Sequence, residues 1–85
     1  MDLLLDAAKT EMLMEAARQA TSSRRDMRVM RAQRDTRGWK LKYIALDDEI
    51  PTAAIERSLS RTVGETVRMV NLHYDFDTAA RLICA

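Results

Sequence analysis

Along the first twenty residues, apolar positions recur at helical spacing. Residues 3–20 are expected to form a helix in which Leu5, Ala8, Met12 and Ala16 make one stripe. Leu3, Ala7 and Met14 make a second stripe on nearly the opposite side. Asp2 is placed to cap the start, and Asp6 suits the positive end of the helix dipole. A helix apolar on two sides is expected at the centre of the core, with the seam of a dimer as the alternative.

Thr21, Ser22 and Ser23 interrupt the pattern, and Ser23 with Asp26 imitates a capping box. A second helix is predicted over residues 24–36, ended by Gly38 in a left-handed cap. Within it only Met27, Val29, Met30 and Ala32 are apolar, while Arg24, Arg28 and Arg31 share a face. From Trp39 the period changes: Trp39, Leu41 and Tyr43 alternate with Lys40 and Lys42, as in a strand. With no partner strand expected, residues 39–46 read as a short strand, an extended connector, or a strand paired across a dimer.

Pro51 suits the first turn of a third helix over residues 51–60, which buries Ile55 and Leu59. Thr62 and Glu65 have the spacing of a capping box for a fourth helix, with Val63, Val67, Val70 and Tyr74 on one side. Its valines are poor helix formers, so burial would have to hold it. Asp75 and Asp77 interrupt it, and Asp77 is expected to cap a last short helix running through Cys84. The chain therefore reads as one all-α domain, residues 1–85, of four to five helices with one short extended segment at most. The two glycines and single proline support helix over a turn-rich β fold.

The third and fourth helices, joined by Ser60-Arg61-Thr62, in outline resemble a helix-turn-helix over residues 51–72. Ile55, Leu59, Thr62, Val67 and Val70 carry the resemblance. The turn has Ser60 where a glycine is usual, and the Ile55–Val67 spacing is one residue longer than in the tightest version. An ordinary helical hairpin would have the same outline. The resemblance implies Glu65, Arg68, Met69 and Leu72 as its outward, partner-binding residues.

Charge decides what such a unit would bind. Net charge is only +1, yet residues 21–42 carry eight cations against two carboxylates. Residues 47–74 carry three cations against five. DNA affinity rests on neutralising phosphates, so the helix-turn-helix-like unit favours a regulatory protein partner, reached through Met69 and Leu72. The block of Arg24, Arg25, Arg28, Arg31, Arg34 and Arg37, with Lys40 and Lys42, argues the other way. It could track a phosphate backbone while Trp39 and Tyr43 stack on bases. It could equally meet an acidic protein, or remain a solvated helix face with Arg31 paired to Asp35. The preference for a protein target depends on the two segments staying apart.

Other chemistry is weakly represented. His73 beside Asp75 and Asp77 is a poor metal-ligand set, since the carboxylates are placed to cap. Cys84, the single cysteine, has no base beside it and permits no internal disulfide. No phosphate loop, zinc spacing or nucleophile elbow occurs. No cofactor, metal or catalytic residue is expected. The lack of a basic leader or an 18-residue apolar run points to the cytoplasm and away from membranes. Four aromatic residues and twelve alanines give a modest core, which a homodimer could supplement. The sequence thus reads as a non-enzymatic, transcription-linked regulator acting by protein docking, with a direct DNA-binding regulator as the alternative and an adaptor third.

Overall fold

The computed structural model describes residues 3–84, with side chains from Asp6 to Cys84. Its elements run α1 (Leu3–Ala20), β1 (Met27–Asp35), β2 (Gly38–Ala45), α2 (Thr52–Val63), β3 (Val67–Asn71) and α3 (Phe76–Cys84). The fold is α+β, with three helices around a three-stranded mixed sheet among the described residues. It corrects the all-α expectation at two places, both read as helices in the sequence.

The first is residues 24–36, where β1 stands. β1 and β2 form an antiparallel hairpin whose register slips between Val29 and Arg31, leaving Met30 as a bulge. Before the bulge, Met27 and Val29 face the core, and after it Ala32 and Arg34 do. The extra residue restores the parity of a strand whose inward positions are otherwise five apart, from Met27 to Ala32. That odd spacing concealed the strand. Gly38 ends no helix; at φ 116° it sits where the hairpin turns into β2. A Cβ there would meet the Thr66 carbonyl oxygen at 2.5 Å, and the same oxygen accepts a 2.8 Å bond from the Trp39 amide. Only glycine allows β2 and the entry to β3 to approach this closely.

The second correction removes the helix-turn-helix. α2 continues past Ser60 to Val63 and stops at Gly64, which is left-handed (φ 74°) and bonds back to the Ser60 carbonyl. Beyond Gly64 the chain enters a strand, β3, parallel to β2. Parallel neighbours require a crossover, and α2 supplies it. β2, expected to lack a partner, is therefore the central strand, paired on both sides.

One face of the sheet lies under α1 and α2. Trp39, Leu41, Tyr43 and Val67 point into it, packing with Leu13, Met14 and Ala17 of α1 and with Ile55 and Leu59 of α2. α1 keeps its predicted span but lies on this one face, so it is not a central helix, and Ala8 and Met12 of its expected stripe are exposed. The predicted roles of Asp2, Leu3 and Leu5 fall outside the described residues or side chains. α1 ends where Thr21 and Ser22 hydroxyls donate to the Ala17 and Gln19 carbonyls, and Ser23 caps nothing: Asp26 instead pairs with Arg24 at 2.8 Å.

The opposite face is covered only at one end. There Ile44 of β2 and Ala79 of α3 are both fully buried, apart from the main core. α3 touches β1 and β2. It starts at Asp75, whose Oδ1 accepts from the Thr78 amide at 2.7 Å, so Asp75 caps it in place of the expected Asp77. That amide is the main cause holding the Asp75 carboxyl below its ordinary range.

Candidate functional site

Alternation along the strands sorts the charged residues onto two faces with different fates. On the covered face, Arg34 of β1 lies opposite Trp39, its guanidinium 4.5 Å from the ring centroid. Arg34 pairs with Glu65 at 2.5 Å and lies 3.4 Å from Asp6 of α1. Glu65 also accepts from Lys9 at 3.0 Å and from the Trp39 indole at 3.3 Å. Chiefly through Arg34, then Lys9 and the Trp39 indole, these donors lower the Glu65 pKa to about 2. Two cations and two carboxylates close on themselves here, fastening α1 to the α2–β3 turn. Glu65, expected as a capping and partner-binding residue, is an internal ion-pair residue.

On the other face the register sets like charges opposite each other. Arg31 is directly across from Lys42, and Lys40 directly across from Arg68. Like charges directly opposite on neighbouring strands destabilise a sheet. The second pair is relieved by Asp35, which bonds Arg68 and lies 3.8 Å from Lys40. The Arg37 amide, followed by Arg68, keeps the Asp35 carboxyl below its usual range. The expected Arg31–Asp35 helical pair does not form. Arg31 and Lys42 have no acidic partner among the described residues. Four cations against one carboxylate thus occupy the part of this face that α3 leaves open.

The remaining predicted residues scatter. Arg28, next to α3, donates to the Leu82 carbonyl at 2.7 Å at the end of that helix. Arg24 is paired with Asp26, and Arg25 and Arg37 are exposed at the two ends of β1. Met69 faces the core, so it is not an outward contact. Leu72 follows β3 and lines a cleft of about 330 Å³ with Met30, Arg31, Lys42 and Tyr74. Trp39 and Tyr43 are buried in the main core and unavailable to stack on a ligand. The aromatic ring at the open face is Tyr74, 48% exposed, although its spacing from the valines had suggested a helix interior.

β3 presents its outer edge to solvent, yet two amides of that edge are satisfied from α2. Val67 N–H donates to the Ser60 hydroxyl at 3.0 Å, and Met69 N–H to the Glu56 carboxylate at 2.7 Å. These bonds lock the strand that carries Arg68. His73, left-handed at φ 56°, is exposed and turns the chain out of β3, its amide bonded to Asn71 Oδ1 at 2.8 Å. Among the described residues no group of three metal-ligating side chains comes together, and no helix is long and apolar enough to cross a membrane. Comparison with protein-family models, curated proteins and solved structures gives no match.

Proposed function

We propose that this chain acts by binding, without catalysis, and that its ligand is the sugar–phosphate backbone of a nucleic acid laid across the open sheet face. One observation carries the reading: Arg68 of the segment 47–74 stands in register beside Lys40, and Lys42 beside Arg31. A polypeptide partner was the expectation only if these segments stayed apart, and the register sets Arg68 beside Lys40 of the basic block. The nucleic-acid alternative therefore takes first place, with a sheet face where a recognition helix was expected. Residues two apart on a strand are ~7 Å apart, of the order of the spacing between successive phosphates in an extended strand. Phosphates there would offset the like-charge repulsion that Arg31 and Lys42 carry. The single exposed thiol, Cys84, suits a reducing cytoplasm.

The test is binding of labelled oligonucleotides by fluorescence anisotropy across a salt series. Four phosphate contacts predict a log–log salt slope of about −3 on single strands. Arg31→Glu with Lys42→Glu should abolish binding while circular dichroism stays native. Reversal of Arg57 and Arg61, exposed on α2, should change little. Loss of binding to both pairs equally, or tighter binding to polyglutamate than to any oligonucleotide, would overturn the proposal.

A further inference from the structure

From the cleft at the Arg31–Lys42 end of the open face, we infer a pocket for one unpaired nucleotide, so that the ligand is single-stranded; this rests on the nucleic-acid reading above. The cleft is lined by Met30, Arg31, Lys42, Leu72 and Tyr74, and its volume of about 330 Å³ falls within the ~300–1,000 Å³ of small-molecule sites. Its chemistry is divided. Arg31 and Lys42, in register on adjacent strands, form a cationic wall with no carboxylate partner among the described residues. The rest of the lining is an aromatic ring, a thioether and a branched alkyl chain. A nucleotide has the same division, an anionic phosphate and a flat apolar base.

The apolar side is built by irregular backbone. Met30 is the bulged residue, and bulges re-aim side chains at sheet edges. Leu72 continues the ladder one step beyond β3, its amide donating to the Tyr43 carbonyl at 2.9 Å. The left-handed His73 and its bond to Asn71 then swing Tyr74 to the cleft. The adjacent carboxylate, Asp75, is occupied by the Thr78 amide. Tyr74 is thereby held between an Asn71-anchored turn and the start of α3, ready to stack on a base. A base paired within a duplex has no free face to offer, which makes the pocket selective for unpaired strands.

The experiment compares decauridine RNA, decathymidine DNA and a ten-base-pair RNA duplex, each labelled, on wild type, Tyr74→Ala and Tyr74→Phe. Stacking of one base predicts a ~5- to 150-fold loss of single-strand affinity for Tyr74→Ala, near-complete retention for Tyr74→Phe, and no change for the duplex. An abasic strand should bind wild type only as well as the intact strand binds Tyr74→Ala. The RNA and DNA arms show which sugar the site prefers. If Tyr74→Ala binds single strands like wild type while Arg31→Glu with Lys42→Glu abolishes binding, the pocket is overturned and the cationic face stands. Absence of binding by wild type to all three probes overturns both.

Discussion

The two faces of the sheet are built from the same three strands, and each carries charge, but only one neutralises it. Under α1, Arg34 and Lys9 meet Glu65 and Asp6, and Trp39 closes the group from below. Opposite, Arg31 and Lys42 face each other with no such relief, and Asp35 alone serves Arg68 and Lys40. The first arrangement is complete without a ligand and ties elements together. The second carries repulsion between paired strands that stability alone does not account for. Total charge, which is near zero, conceals this difference between the faces.

The largest effect that separates the faces is expected at Trp39. Trp39→Ala should destabilise the fold by ~3–5 kcal/mol, read by urea unfolding, while the folded fraction keeps its oligonucleotide affinity. If the affinity of the folded fraction falls as well, the faces are not independent. Next comes Gly38→Ala, which strains a left-handed residue and drives a Cβ onto the Thr66 carbonyl. A loss of ~1–3 kcal/mol is expected, accompanied by weaker binding, because the turn sets the register that aligns both faces. An undisturbed melting temperature would contradict the register argument.

Acid sharpens the comparison further. The Glu65 pKa is depressed from 4.5 to about 2 in the fold, so its ion pairs stabilise fully above pH 4.5 and are lost as pH falls toward about 2. Thermal midpoints measured through this window should drop for wild type and drop less for Glu65→Gln. Asp35 and Asp75, also held low, leave the variant some acid dependence. The smallest effect is expected from Asp35→Asn, which removes the one carboxylate from the open face. Oligonucleotide affinity should rise severalfold at low salt and converge with wild type at high salt. A fall in affinity would mean that Asp35 positions Arg68 for binding instead of competing with phosphate.

Where period and element agreed, the sequence was legible. α1 falls where expected, the last helix ends at Cys84 as expected but starts two residues earlier, and Ile55 and Leu59 are the buried residues of α2. The alternation of Trp39, Leu41 and Tyr43 with Lys40 and Lys42 marked β2 and already separated core from cations. Two local devices hid the remainder. The Met30 bulge breaks the two-residue period of β1, leaving arginines at a spacing that a helix face also satisfies. In β3, Val67 and Val70 have helical spacing by coincidence and point to opposite faces. Their β-branching was the available signal for a strand, and it was outweighed by the Thr62–Glu65 spacing, although Glu65 spends its carboxylate on Arg34 and Lys9. Arg31, Lys40, Lys42, Arg68 and Leu72 were legible as candidates on two separate surfaces; that they share one face follows from the pairing of 31 with 42 and of 40 with 68, which no local pattern encodes.

Ser60 and Glu56 have a further effect through the amides they occupy. An incoming strand at the β3 edge would first have to displace both bonds, so that edge is guarded against backbone pairing with another chain. A filament grown edge upon edge needs both outer strands of the sheet, and these two bonds oppose its growth at one of them.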